Sequence, residues 1–315
     1  MSQPLLRIKN VLVSTDFSAH SLDALVHALP LAKSFGANLH LVHVSELDYP
    51  LSNMAGVPIV LPEADTCSAV HRDLQRVARK HSIHLGEENI HALRGRPFEE
   101  ICRLAREKEI DLIVMSTRGN TGLKHFALGS TAEHVVRFSP CPVLVMHPAD
   151  GQDNGNRKTE KQRLNFKRII VPIDFSGCSL KGLDYARALA KRFGSELILF
   201  NSVALHYYFP GDEYARYDVP KLVMRSEHSA REQMSELIRK TDWRGIKVTP
   251  SFQIGHAGDQ ICTEAVDQDA DVIVTSTHGI TGFKHMLVGS TAEYVVRHAC
   301  RPVLVVPSHE RPTST

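Results

Sequence analysis

Two glycines with nine residues between them, the second followed by a pair of hydroxyl side chains, are the part of this chain best suited to chemistry. Residues 116 to 131 open with STRG and close with GST, which fixes the positions of Gly119, Gly129, Ser130 and Thr131. Glycine permits close backbone approach or a positive φ, and a helix starting near Ser130 exposes amide N–H groups that attract anions. A phosphate there can accept bonds from the amides and hydroxyls of Ser130 and Thr131. Each dipole contact contributes only about 0.3–1 kcal/mol, but several together can hold a triphosphate. The same residues also fit a purely local use. Ser130-Thr-Ala-Glu133 matches the S/T-x-x-E capping box, which stabilises a helix start with no ligand present.

The chain spells this segment twice. Residues 116 to 137 and 276 to 297 are identical at 15 of 22 aligned positions, so Ser276, Gly279, Gly289, Ser290 and Thr291 repeat the pattern, and Ser290-Thr-Ala-Glu293 repeats the capping box. The correspondence runs much farther. VLVSTDFSAHSLDAL aligns with IVPIDFSGCSLKGL, pairing Asp16 with Asp174 and Ser18 with Ser176 at an offset of 158, and Gly36 with Gly194 follows at the same offset. RGRPFEEICRLAREKEIDLIVMSTRG aligns with IGHAGDQICTEAVDQDADVIVTSTHG at an offset of 160, so the halves differ by a net two residues in the middle. A repeat unit of about 150 residues is large enough to bury its own core, which makes this a domain duplication and not a solenoid. The polar stretch HPADGQDNGNRKTEKQRLNF between the halves reads as a linker. The expected division is a first domain at 1–148, a linker at 149–165, a second domain at 166–308 and a tail at 309–315.

The elements that must position these residues follow from the apolar pattern. VLVST (11–15) reads as a buried strand. Ser18 can cap the helix after it, in which Leu22, Leu25, Val26, Leu29 and Ala32 fall at helical spacing. Gly36 ends that helix, and LHLVHV (39–44) is the next strand. A helix around 65–81 carries Val70, Leu74, Val77 and Ala78, and NIHAL follows as a third strand. Phe98, Ile101, Cys102 and Leu104 mark another helix, DLIVMS (111–116) a fourth strand, Ser130 to Phe138 a helix and PVLVMH (142–147) a fifth strand. Strands that alternate with helices and are apolar on both faces imply parallel βαβ units. Each half is therefore expected to be a five-stranded parallel sheet with helices on both faces. Ligands of such sheets bind outside the carboxyl ends of the strands, where the strand order reverses, and the duplicated segment lies there.

Composition adds bounds. Hydrophobic content of 43%, charged content of 23% and a net charge of +2 are those of an ordinary soluble domain, with no pull toward nucleic acid or membrane. No apolar stretch approaches about 18 residues and the N-terminus lacks signal-peptide character, so a cytoplasmic protein is expected. The six cysteines are scattered without a CxxC, which predicts reduced apolar fillers and no metal site.

The strand-DFS opening, the strand-4 ending and the doubled G-x9-G-S/T resemble the universal stress protein family in a tandem two-domain form. The resemblance implies two Rossmann-like domains of the adenine nucleotide alpha hydrolase-like kind and a stress-response role. It also implies ATP, with or without Mg, at the ends of strands 1 and 4. Carried over by position, Asp16 and Val44 border the adenine, Met115 and Ser116 line the ribose and base, and Gly119, Gly129, Ser130 and Thr131 hold phosphates. In the second half the same positions are Asp174, Ser202, Thr275, Ser276, Gly279, Gly289, Ser290 and Thr291. Two departures stand out: the family motif's first glycine is Ser116 or Ser276, and Ser202 and Thr275 replace Val44 and Met115. The resemblance further implies pairing through the final strand, giving an internal pseudo-dimer and a homodimer of chains.

Three other functional classes meet the same residues. An ATP pyrophosphatase or nucleotidyl transferase needs a Gly/Ser-rich loop after strand 1, which STDFS and PIDFS lack, and GNTGLKH does not complete a P-loop. No nucleophile-base set recurs in both halves, so at most slow ATP hydrolysis is expected. A metal or proton sensor is raised by the 18 histidines. His20, His27, His40, His43, His81 and His84 fall on different elements without zinc spacing, however. His125 and His285 recur after Lys124 and Lys284 and fit either phosphate contact or solvated charge. The third class is an interaction module without nucleotide, which would associate through an apolar final strand.

Overall fold

The computed structural model describes residues 6–46, 63–117, 128–147, 166–203, 219–277 and 289–308. The chain forms two compact units, one built on Arg7–Arg163 and the other on Leu164–Ser308.

In the first unit the order is β1 (Asn10–Ser14), α1 (Ala19–Phe35), β2 (Asn38–Ser45), α2 (Glu63–Lys80), β3 (Ile90–Arg94), α3 (Pro97–Glu107), β4 (Leu112–Ser116), α4 (Ser130–Phe138) and β5 (Val143–Met146). Its strands are parallel in the order β3-β2-β1-β4-β5. The second unit repeats the plan with β6 (Arg168–Pro172), α5 (Gly177–Phe193), β7 (Glu196–Val203), α6 (Val219–Lys240), β8 (Val248–Ile254), α7 (Ala257–Asp267), β9 (Val272–Ser276), α8 (Ser290–His298) and β10 (Val303–Val306). Its order is β8-β7-β6-β9-β10, again parallel.

Both faces of each sheet are covered. Successive strand residues point to opposite faces, yet Val11, Leu12 and Val13 are all fully buried, as are Ile169, Ile170 and Val171. That is the burial a parallel sheet requires. Among the described residues no helix is long and apolar enough to cross a membrane.

The ends of the first helix follow from single residues. Ser18 is extended at the N-cap of α1 and accepts from the Ser21 amide, and Gly36 closes the helix in the left-handed region at φ 66°. Ser176 and Gly194 do the same for α5. The buried stripe of α1 corrects the sequence reading. It consists of Ser21, Ala24, Leu25, Ala28, Leu31 and Ala32, whereas Leu22, Val26 and Leu29 are only half-buried. The helix lies against β1 and β4, and small side chains on that face let its backbone approach the sheet closely.

Candidate functional site

In each unit the strand order reverses beside the first strand, with β1 between β2 and β4 and β6 between β7 and β9. The register Val13↔Val114 brings the ends of β1 and β4 level, so Asp16 and Ser116 both emerge at the carboxyl edge of the sheet. Asp174 and Ser276 follow from Ile170↔Ile273 in the same way. This reversal point is where open α/β sheets bind ligands.

The chain leaves β1 through a strained turn. Phe17 has φ 65° and Phe175 has φ 64°, a left-handed conformation that costs a bulky residue roughly 1–2 kcal/mol. Local bonds hold it in the first unit. The Phe17 amide donates to Thr15 Oγ1 at 3.0 Å, the Ser18 amide to Asp16 Oδ1 at 3.1 Å, and the Ser21 amide to Ser18 Oγ at 3.2 Å. In the second unit the Ser176 amide donates to Asp174 Oδ1 at 3.0 Å and the Ser179 amide to Ser176 Oγ at 3.2 Å. One carboxylate oxygen of Asp16 and of Asp174 therefore orders the turn, the local duty open to an acid ahead of a helix.

The end of β4 is tied to the start of α4 by one backbone bond. The Gly129 amide donates to the Thr117 carbonyl at 2.9 Å, and Gly289 repeats this to Thr277 at 2.5 Å. Gly129 (φ −61°, ψ 140°) and Gly289 (φ −72°, ψ 148°) are extended N-cap residues with no side-chain cap. What favours glycine here is close approach and not a positive φ, since a Cβ at Gly129 would stand 3.2 Å from the Thr117 oxygen.

This geometry overturns the capping-box reading. Ser130 and Ser290 are the first helical residues, not the caps. The N-cap amide that a capping-box glutamate would take is already bonded to strand β4 or β9, and Glu133 and Glu293 pair down the helix with Arg137 at 3.5 Å and Arg297 at 3.1 Å. The first-turn amides of a helix have no intrahelical acceptor. Those of Ser130, Thr131, Ser290 and Thr291, and the four hydroxyls, make no bond among the described residues.

The flanking positions differ between units. Val44 is half-buried near the end of β2, beside Leu93 on β3. Its counterpart Ser202 donates its hydroxyl to the Gly255 carbonyl at 2.9 Å, so the polar group is consumed by the loop after β8. Met115 and Thr275 are buried in β4 and β9, inside the sheet rather than on its open edge. Ser116 is half-buried and Ser276 is buried. Gly119 and Gly279 lie outside the described residues, as do Lys124, His125, Lys284 and His285.

One pair of residues at this edge was not singled out from sequence. His43 Nδ1 bonds the Thr15 carbonyl at 2.8 Å, and Asn201 Nδ2 bonds the Ile173 carbonyl at 2.7 Å. The partners are 28 residues apart in each half. The available signal was that aligned positions in two apolar strands, LHLVHV and LILFNS, both carry a side-chain N–H donor. Among the described residues no group of three or more His, Cys, Asp or Glu side chains is arranged to hold a metal ion.

Comparison with known proteins agrees with this architecture. The sequence profile of the universal stress protein family matches residues 7–147 and again 165–307. Universal stress protein MJ0531 of Methanocaldococcus jannaschii is 36% identical over 143 residues, covering 44% of this chain and 81% of that protein. Universal stress protein Slr1230 of Synechocystis is 23% identical over 318 residues, covering 94% of this chain and 99% of its own length. A crystal structure of a universal stress protein from Archaeoglobus fulgidus superposes with a TM-score of 0.61 at 22% identity, covering 96% of this chain and 97% of that one. With two family matches and a Rossmann-like parallel sheet in each unit, the chain belongs to the universal stress protein family, in its tandem form.

Proposed function

We propose that each unit binds an adenine nucleotide, ATP foremost, at the carboxyl ends of its first and fourth strands, and that the protein acts in a stress response by regulation and not by turnover. The observation that carries this reading is the doubled helix start. In both units a glycine caps the helix through its backbone alone, which leaves the amides and hydroxyls of a Ser-Thr pair available to an anion at the point of strand reversal. Asp16 and Val44 in one unit, and Asp174 in the other, flank that edge where the base would lie. The first unit suits adenine better, because Val44 offers an apolar contact where Ser202 has turned its hydroxyl to Gly255. Met115 and Thr275 support the edge from inside the sheet, beneath Ser116 and Ser276. Any Mg would be held by the phosphates as much as by the chain, since divalent magnesium keeps most of its water. Regulation would follow if nucleotide binds two conformations of the chain with different affinity, because a ligand shifts a conformational balance only by that difference.

The test is calorimetric titration of ATP into the purified chain and into a Gly129→Glu, Gly289→Glu double variant, after mass analysis of any nucleotide carried through purification. A saturable heat lost in the folded double variant is expected. Equal heats from the two folded proteins would reject the site. Rapid phosphate release under the same conditions would replace regulation by catalysis.

A further inference from the structure

The bond made by His43 and Asn201 recurs in the two units with different chemistry. A backbone carbonyl only accepts, so the contacting nitrogen carries the hydrogen in both cases, which places a hydrogen on His43 Nδ1 and orients the Asn201 amide. The acceptor is the same in each unit, the carbonyl of the residue just after the first strand's last residues, Thr15 or Ile173. At that point the chain turns out of the sheet, so this carbonyl has no neighbouring strand amide to bond while still being buried. Thr15 is 5% exposed and Ile173 is 2% exposed. The next peptide leads into Asp16 or Asp174, and the residue after that is the left-handed phenylalanine. In the first unit the Phe17 ring also rests on the His43 ring, with centroids 4.6 Å apart.

We propose that His43 and Asn201 are positioning residues for the base end of the site. By bonding the carbonyl ahead of the aspartate they fix the 15–16 or 173–174 peptide plane, hold the phenylalanine in its strained conformation, and so aim Asp16 or Asp174 at the ligand. The role toward ligand rests on the nucleotide reading above, whereas the hold on the turn does not. The two units also differ in how much else secures the turn. Thr15 Oγ1 accepts the Phe17 amide at 3.0 Å, a bond that Ile173 cannot make, so Asn201 carries a larger share in its unit than His43 does in the first.

The experiment uses the full chain with His43→Leu, His43→Asn, Asn201→Leu and Asn201→His. Two readouts are taken: hydrogen exchange of the amides at 17–18 and 175–176, and ATP titration with the other unit blocked by Gly289→Glu or Gly129→Glu. His43→Leu is expected to speed exchange in its turn and to weaken ATP about tenfold, the effect of losing one buried hydrogen bond. His43→Asn, which borrows the second unit's donor, is expected to restore both. Asn201→Leu is expected to open its turn more than His43→Leu does, with Asn201→His restoring it. Unchanged exchange in both leucine variants, or donor-bearing variants as damaged as the leucine ones, would overturn the proposal. If the unsubstituted chain takes up no ATP, the nucleotide reading fails and the proposed aim at a ligand falls with it, while exchange still decides whether the bond holds the turn. Leucine variants that fail to fold when the exchanged His and Asn variants fold would support the hold on the turn. Failure of all four would overturn the interchangeability on which it is argued.

Discussion

The Gly129 amide meets the Thr117 carbonyl at 2.9 Å, and a Cβ on Gly129 would come within 3.2 Å of the same oxygen. The obstacle to a side chain is therefore one contact, since φ −61° suits any residue. Gly36 is the converse, with open space around it but φ +66°. In urea denaturation Gly36→Ala is expected to cost roughly 1 kcal/mol, the penalty of forcing an L side chain into the left-handed region. Gly129→Ala is expected to stay within about 0.5 kcal/mol, because the narrowed unfolded ensemble offsets a few tenths of an ångström of adjustment. A larger loss at Gly129 than at Gly36 would mean that the tie between β4 and α4 cannot give.

The first unit should weaken in mild acid through a pair of facing histidines. His40 Nδ1 and His91 Nε2 are 3.2 Å apart between β2 and the edge strand β3, with the rings stacked at 5.5 Å. Burial first, then the charges of His40, Lys108 and His71, lower His91 to about 4. His40 is also lowered by burial and Lys108, against a small opposing pull from Glu88. A base with a depressed folded pKa binds its proton more readily when unfolded, so stability is full above about pH 6.5 and declines as pH falls toward 4. Because His91 is only partly buried, the loss is on the order of 1–2 kcal/mol and not the full value of the shift. Denaturant midpoints at pH 7 and pH 4.5 measure it. His40→Ile with His91→Ser, which copies Ile198 and Ser251, is expected to flatten the dependence; an unchanged slope would place its origin elsewhere.

The cysteines should separate by reactivity. Burial raises the Cys102 thiol to about 11, and burial with Cys300 and Asp259 nearby raises Cys262 to about 12, so neither forms thiolate at neutral pH. Cys300 is exposed. Alkylation with iodoacetamide at pH 8, followed by mass analysis, is expected to label Cys300 well before Cys102 or Cys262. Equal labelling would show that the α3 and α7 faces open on the timescale of the reaction.

What could be read from sequence was whatever depends on near neighbours. The five strands of the first unit fall within a residue or two of their expected positions, α4 spans the expected residues, and Ser18 and Gly36 bound α1. Reading failed where the decisive partner is distant. Nothing near His40 reveals that His91 will face it, and nothing in DQICTEAVD reveals that Glu264 is buried, taking bonds from Ser251 at 2.7 Å and Gln268 at 2.9 Å where the first half has Leu104. The strained Phe17 and Phe175 were equally hidden, because a bulky residue is a poor left-handed former and adopts that conformation only under tertiary constraint. At the candidate site the strand ends and the span of α4 are legible from the repeat, whereas the role of its first serine is not, because a Ser-x-x-Glu pattern looks the same whether the serine caps the helix or begins it.

That one-residue difference is itself testable, because it separates a stabilising serine from a binding one. Ser18 accepts the Ser21 amide at 3.2 Å as a true N-cap, so Ser18→Ala should cost about 1 kcal/mol whatever ligand is present. Ser130 and Ser290 sit one position farther in, with hydroxyls that bond nothing among the described residues. Alanine is at least as good a helix former there, so Ser130→Ala and Ser290→Ala should leave the denaturation midpoint within about 0.5 kcal/mol of the parent. If the hydroxyls serve phosphate, the same substitutions should weaken ATP in titration by roughly threefold to tenfold per site, the range for a net hydrogen bond of about 0.5–1.5 kcal/mol. Stability lost with affinity kept would restore the capping box, whereas affinity lost with stability kept is what a helix start shaped for an anion requires.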